Sequence, residues 1–365
     1  MRILFVHTIG KNKYGGGERW VVNAAYGLQK KGHQVYVVSK PNSILLKKAS
    51  EKGINTICFN IVSNLSLYHA FLLSRIIRNN KIDVVFSKGR DLAVAGLASK
   101  WGGKPLVIRR TGSPPRRKFR KHVFLTKWLA DGVITNTKSI SDFYIDNGFP
   151  ENSYVKVIYN GLLPDDDIPA FDFKDIYPGR TIALCVGRLV ATKGYYYLID
   201  ALPELKKSNP DVLFYVLGDG KEKAKLIRYA RKKGVDDMIY FGGYIDSSIP
   251  YYKGCNLFVH PSLFEGMPNA AMEAMAYGKP VILTNVNGAE ELSCNGKYAW
   301  LIPPANSNAI TRSVIQAMQN KVELYRMGEQ AKYYVREKFS TQTMINSLED
   351  FINNCLKKKQ INNKF

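Results

Sequence analysis

The sequence predicts two α/β domains, each a parallel sheet covered by helices on both faces. Three observations carry this. Short apolar runs alternate with helical patterns along the first half of the chain, the alternation restarts after Asn160-Gly161, and 365 residues exceed what one hydrophobic core usually holds.

In the first half, buried strands are expected at 3–7, 34–39, 56–59, 84–87, 106–108, 132–135 and 155–158, each a brief apolar run. Helical spacing fills 18–31, 67–79 and 92–100 between them. The stretch 164–178 carries Asp165, Asp166, Asp167 and Pro169, with Gly179 after it, and reads as a linker. Strands resume at 181–186, 213–217, 239–241, 257–260 and 281–284. Residues 325–356 read as two helices broken near Phe339-Ser340, ahead of a Lys/Asn-rich tail. The expected organisation is an N-terminal domain over 1–163, a linker over 164–179, a C-terminal domain over 180–340, and a C-terminal helix with a basic tail over 341–365. A cleft is expected between the two domains.

Composition narrows the function. Hydrophobic content of 45% suits a globular chain, and no run of 18 or more apolar residues indicates a membrane-spanning helix. The N-terminus reads as a first strand, not as a signal peptide. Five scattered cysteines form neither a disulfide framework nor a zinc knuckle, and suit a cytoplasmic protein with reduced thiols. The formal charge of +23 favours anionic partners. It is uneven: no acidic residue falls between Asp91 and Asp131, where ten lysines and arginines lie, among them Arg109, Arg110, Arg116, Arg117 and Lys118. That stretch is either a solvated basic face or a contact surface.

The segment from Pro261 to Pro280 holds the richest pattern. Glu265 and Glu273 bracket a turn and the start of a short helix. Pro268 suits its first turn, 270–276 are mostly helix formers, and Gly278 with Pro280 closes it. The exposed N–H groups at that helix start form an anion site, and the carboxylates beside it suit hydroxyls attached to a phosphate. Gly187-Arg188 and Lys193-Gly194 follow the first strand of the second domain, where Arg188 and Lys193 can converge on one anion. Gly15-Gly16-Gly17-Glu18 follows the first strand of the chain; it lets a ligand approach the backbone but lacks the dinucleotide spacing. Gly218-Asp219-Gly220 ends another strand, and Tyr244 after the next either stacks on a flat ring or is a surface tyrosine. His7 ends strand one, where it can line a cleft; His33 and His260 flank strands and read as structural.

Taken in order, these motifs resemble the retaining family 4 glycosyltransferases of the GT-B fold. The carriers are the E-x7-E pair Glu265–Glu273, Gly187-Arg188 with Lys193-Gly194, the Gly-Gly-Gly-Glu loop, Tyr159-Asn160-Gly161, and Asn287-Gly288-Ala289-Glu290-Glu291-Leu292. The resemblance spans nearly the whole chain. It implies a C-terminal helix packed back on the N-terminal domain, a nucleotide-sugar donor bound mostly by the C-terminal domain, and an acceptor on the N-terminal side. By position, Arg188 and Lys193 would hold the donor diphosphate and stabilise its departure. Glu273 would take the ribose hydroxyls, and Glu265 would face the sugar. The N–H groups of Gly266, Met267, Pro268 and Asn269, proline excepted, would touch sugar and diphosphate. Gly16 and Gly17 would border the diphosphate from the other domain. Many relatives carry a histidine after this strand, where this chain reads Arg109-Arg110-Thr111, and Arg110 is expected to contact an acceptor phosphate or the transferred sugar instead. Glu265 is then read as a positioning and charge-stabilising residue, with the leaving phosphate taking the acceptor proton. No metal or other cofactor is expected, since Asp165-Asp166-Asp167 lies in the presumed linker.

Arg109–Lys127 interleaves its cations with Phe119 and Phe124, and Trp128 follows. That pattern suits an anionic membrane surface. The expected enzyme is a peripheral protein of the inner face of the plasma membrane. It would move a hexose to a lipid-linked bacterial surface glycan such as lipopolysaccharide or capsule. The alternatives are another GT-B sugar-nucleotide enzyme, or a basic nucleic-acid-binding protein, for which no motif speaks.

Overall fold

Both sheets are wholly parallel in their pairing, as expected of strands that read as unbroken apolar runs. The structure is a computed structural model and describes residues 1–8, 10, 14–63, 65–112, 119–151 and 154–362. The chain divides into two units, Met1–Gly161 with Phe339–Phe365, and Leu162–Lys338.

The first unit runs β1 (Arg2–Val6), α1 (Gly16–Lys30), β2 (Gln34–Ser39), α2 (Ile44–Glu51), β3 (Asn55–Cys58), α3 (Leu67–Asn79) and β4 (Val84–Lys88). It continues with α4 (Leu92–Trp101), β5 (Leu106–Thr111), α5 (Phe119–Leu129), β6 (Gly132–Thr135), α6 (Lys138–Asp146) and β7 (Val155–Val157). The strand order is β3-β2-β1-β4-β5-β6-β7, so the chain reverses its direction of winding between β1 and β4. Strand alternation serves two cores. Ile3 and Phe5 pack with Trp20 and Leu28 of α1, while Leu4 and Val6 pack with Leu73 and Ile77 of α3 and Ala95 of α4. Phe5 stacks on Phe86 at 4.7 Å, and Trp20 meets both edge-on.

The second unit begins with α7 (Phe173–Ile176), β8 (Thr181–Val186), α8 (Tyr195–Ser208), β9 (Val212–Leu217), α9 (Lys223–Lys232) and β10 (Ile239–Gly243). It continues with α10 (Ile249–Gly254), β11 (Leu257–His260), α11 (Asn269–Ala276), β12 (Val281–Thr284), α12 (Ala289–Ser293), β13 (Trp300–Ile302), α13 (Ser307–Gln319) and α14 (Lys321–Lys338). Its order, β10-β9-β8-β11-β12-β13, repeats the reversal between β8 and β11. β13 is only three residues long, too short for periodicity to reveal.

The stretch expected as a linker is instead packed on the second unit. Asp172 caps α7 by accepting from the Lys174 N–H, and Phe171 and Phe173 join a cluster with Tyr215 and Tyr251. Asp166 receives both guanidinium arms of Arg336 at 2.7 Å. The acidic, turn-rich composition concealed two aromatic anchors.

α15 (Thr341–Asn362) returns to the first unit. Met344, Ile345, Leu348, Phe351, Ile352 and Cys355 complete the core under β1. Gly27 permits the close approach of α1 and α15, because a Cβ there would stand 2.4 Å from Ile345. Glu349 takes Lys31 at 2.5 Å and His33 at 3.0 Å, and Lys359 takes Asp131 at 2.7 Å.

Candidate active site

In open parallel sheets, ligands bind beyond the carboxyl ends of the strands where the winding reverses. In the second unit that point lies between β8 and β11, and the motif residues gather there. The loop after β8 is locked to the loop after β9: the Leu189 N–H donates to Asp219 O at 2.9 Å, and the Glu222 N–H to Leu189 O at 3.0 Å. It is also locked to the loop after β11, where the Leu263 N–H donates to Thr192 O at 2.9 Å. Gly194 makes the second contact possible. Its φ is 70°, and a Cβ would fall 1.8 Å from Pro261 O.

The result is a cluster on one carboxylate oxygen. Oε1 of Glu265 accepts from the Lys193 ammonium, from His260 Nε2 at 2.9 Å and from Ser262 Oγ at 2.9 Å. Thr284 at the end of β12 holds this loop by donating to Ser262 O at 2.5 Å. Burial alone would push the Glu265 carboxyl up, but His260 and Lys193 together outweigh it and hold the group at about 2. Burial lowers His260, so its imidazole is neutral at neutral pH and supplies an N–H, while Lys193 supplies the charge. Glu265 is therefore ionised, and among the described residues its hydrogen bonds all fall on Oε1.

α11 begins where the sequence places it, and Gly278 past its end takes φ 71°. Met267 and Pro268 bury their side chains, so what that turn can offer a ligand is backbone, less the Asn269 N–H, which donates to Met267 O at 2.9 Å. Gly266 and Asn269 are half-buried beside them. Glu273, within the helix, accepts from the buried Tyr252 hydroxyl at 3.0 Å. Arg188 is exposed in the loop after β8, and Tyr244 is 69% exposed after β10.

The first unit builds a second polar cluster at its own reversal point. Glu18 accepts from His7 Nε2 at 2.7 Å and from its own helix start, the Gly15 N–H, at 2.9 Å. Burial opposes its ionisation, yet His7, Lys88 and the Gly15 N–H hold it at about 2. Half-buried Gly16 and Gly17 open the same helix. Asp91, after β4, accepts from the Thr8 N–H at 2.8 Å and Thr8 Oγ1 at 2.9 Å. Arg110 at the end of β5 is buried, lies over the Trp20 ring at 4.6 Å, and donates to Asn160 Oδ1 at 2.7 Å.

Strand alternation sends Arg109 the other way. It is buried against α5, donating to Thr126 Oγ1 at 3.0 Å and to His122 Nδ1 at 3.0 Å. Burial and Arg109 lower His122 to about 4, which keeps Nδ1 a free acceptor for that bond. Arg109 is thus an internal residue and not part of an exposed basic face. Arg116, Arg117 and Lys118 lie outside the described residues. Beyond them α5 exposes Phe124 and Trp128, with Lys100 4.0 Å over the Trp128 ring.

Sequence reasoning missed His260 and Ser262, which it read as structural or passed over, and Lys88, Asp91 and Tyr252. The available signal was positional: His260, Lys88 and Asp91 all end or follow strands at a reversal point. No helix among the described residues is long and apolar enough to cross a membrane. No group of three or more His, Cys, Asp or Glu among them is placed to hold a metal.

Two parallel-sheet units of this kind are the architecture of the GT-B glycosyltransferases. HepE of Anabaena, solved in complex with UDP and glucose, shares the fold over 97% of this chain and 99% of its own, with TM-score 0.83 and 21% identity. The chain belongs to the family 4 type of these enzymes: residues 14–165 match the model for Glycosyltransferase Family 4, and residues 167–334 that for Glycosyl transferases group 1. The lipopolysaccharide core biosynthesis glycosyltransferase LpsE of Rhizobium meliloti is 24% identical over 94% of this chain and 96% of that protein. The UDP-Gal:alpha-D-GlcNAc-diphosphoundecaprenol alpha-1,3-galactosyltransferase of Escherichia coli is 24% identical over 81% of this chain and 82% of that protein.

Proposed function

We propose that this glycosyltransferase moves a hexose from a nucleoside-diphosphate donor, with retention of anomeric configuration, to a lipid-linked bacterial surface glycan. The observation that carries the donor reading is the Lys193–Glu265 cluster at the reversal point of the second sheet, directly before the N-terminus of α11. Departure of the nucleoside diphosphate develops negative charge on its terminal phosphate. Lys193, the exposed Arg188 and the N–H groups of Ala270 and Ala271 at the start of α11 are suited to meet that charge, whereas the Asn269 N–H already donates to Met267 O at 2.9 Å. Glu265, ionised and outnumbered by donors, cannot give a proton; its second oxygen is suited to a sugar hydroxyl. Glu273 on α11 takes the ribose hydroxyls, with Tyr252 fixing its carboxylate.

In this reaction the donor C1–O bond breaks, the acceptor oxygen bonds C1 on the same face, and the acceptor's proton passes to the departing phosphate oxygen. The charge is met by side chains and N–H groups, so no metal ion enters the reading. The named acceptor of the Escherichia coli relative, a sugar on diphosphoundecaprenol, supports a lipid-linked acceptor. The exposed Phe124 and Trp128 among the cations of α5 support docking on an anionic membrane.

The test is a screen of UDP-, GDP- and ADP-hexoses for thermal stabilisation, followed by turnover with EDTA present and NMR of the product's anomeric proton. Arg188→Ala and Lys193→Ala should each lower kcat by at least about a hundredfold. Near-wild-type kcat in both variants, or an inverted product, refutes the reading.

A further inference from the structure

Glu265 has more hydrogen-bond donors on one oxygen than an ionised carboxylate needs. The Lys193 ammonium would pair its charge, yet His260 Nε2 and Ser262 Oγ also reach Oε1, each at 2.9 Å, and stand 3.1 Å from one another. A carboxylate oxygen only accepts, so His260 carries its proton on Nε2 and Ser262 turns its hydroxyl proton to Glu265. Both side chains are buried. Two buried donors thus crowd an oxygen that is already paired.

The three donors differ in how they are held. His260 ends β11, which lies between β8 and β12 in the sheet, and its ring is nearly parallel to that of Phe258, 6.1 Å away. The Thr284 hydroxyl lies 2.5 Å from Ser262 O and 3.3 Å from His260 O, so the end of β12 fixes the backbone of both. His260 and Ser262 therefore approach Oε1 from the rigid side of the site. Lys193 instead closes a short turn, Ala191–Lys193, in a loop, and carries its charge on a flexible four-carbon stem. It also has two claimants. The structure pairs it with Glu265, while the transferase reading gives it to the departing phosphate. If Lys193 were the sole partner of Glu265, an ammonium that moved to a phosphate would strand a buried carboxylate or drag it along.

We propose that His260 and Ser262 are positioning residues that keep the Glu265 carboxylate in place when Lys193 turns to the donor phosphate. They hold Oε1 from the sheet side, so Oε2 stays available to the sugar whether or not the ammonium has moved. Lys193 is thereby released to follow the charge that develops on the leaving group. The titratable groups facing Glu265 are Lys193, His260 and, from α8, the Tyr195 hydroxyl. Burial keeps Tyr195 neutral, and Ser262 adds a hydrogen bond to the charged form of Glu265. The phosphate on Lys193 and the sugar on Oε2 rest on the transferase reading above; the independence of Glu265 from Lys193 does not.

Carboxyl 13C NMR of the full chain labelled at glutamate tests that independence without a ligand, Glu265 being the resonance that Glu265→Gln removes. In Lys193→Met the Glu265 carboxyl should still titrate below its ordinary 4.5, and in Lys193→Met/His260→Ala it should titrate above that value. A carboxyl that rises above 4.5 in Lys193→Met alone overturns the proposal, and so does one that stays low in the double variant. Kinetics with the nucleotide hexose selected by the screen above tests the consequence. His260→Ala should lower kcat about tenfold and bring an acid limb into the pH profile. Its affinity for free UDP, GDP or ADP, measured by titration calorimetry, should stay within about twofold of wild type. His260→Gln keeps an N–H donor and should recover most of kcat, and Ser262→Ala should lower kcat in the same direction. A role in folding alone would lower nucleotide affinity together with kcat, and that result overturns the proposal, as does unchanged kcat in both His260→Ala and Ser262→Ala. A chain that transfers no hexose while Glu265 titrates as expected fails the transferase reading and leaves the hold on Glu265 standing.

Discussion

Replacing Glu265 by glutamine keeps the side chain's shape and removes its charge. In the folded protein the carboxyl is held at about 2 against an ordinary 4.5. Each tenfold in proton affinity corresponds to about 1.4 kcal/mol, so the ionised form is favoured by about 3 kcal/mol on folding. The side chain is only 15% exposed, and solvent screening removes little of this. Glu265→Gln also leaves the Lys193 ammonium facing a neutral amide. The variant should therefore lose about 2–3 kcal/mol at neutral pH, read as the difference in urea-unfolding free energy from wild type. A lowered folded-state value stabilises above the unfolded value and is lost as pH falls through the folded one. The difference between the two proteins should thus be full at neutral pH, begin to shrink near pH 4.5, and continue to shrink towards about pH 2. A difference that is the same at about pH 3 as at neutral pH would refute the assignment of this stability to the charged network.

Two further outcomes follow from the same site. Gly194→Ala places a Cβ 1.8 Å from Pro261 O at a φ of 70°, so it should cost at least about 2 kcal/mol in urea unfolding and lower turnover by moving Lys193; wild-type stability would show that the two loops are not locked as described. Glu273→Ala should raise the donor KM roughly tenfold while kcat stays within about twofold, and a fall in kcat at constant KM would move Glu273 from ribose binding to the reacting centre.

Much of this protein was legible from sequence alone. Parallel strands buried on both faces are written as plain apolar runs, so the two-sheet plan, most strand positions and the break between α14 and α15 could be read locally. The short helix after Pro268 was equally plain, because proline, alanine-rich spacing and Gly278 act within a few residues. Local rules failed where a residue's meaning depends on a distant partner. Phe171 and Phe173 looked like linker until Tyr215 and Tyr251 were placed beside them. Arg109 and Arg110 looked equivalent, yet the pleat sends one into the α5 interior and the other over Trp20. His260 looked structural until the return of the β11 loop brought its N–H to Glu265. The sequence by itself determined the fold and the motif residues, since periodicity and turn chemistry are short-range. Only the tertiary structure decided which charges meet. Parallel strands joined by long crossovers become neighbours at their carboxyl ends, and no local pattern encodes that Lys193 reaches Glu265 or that Lys88 stands beside Arg110.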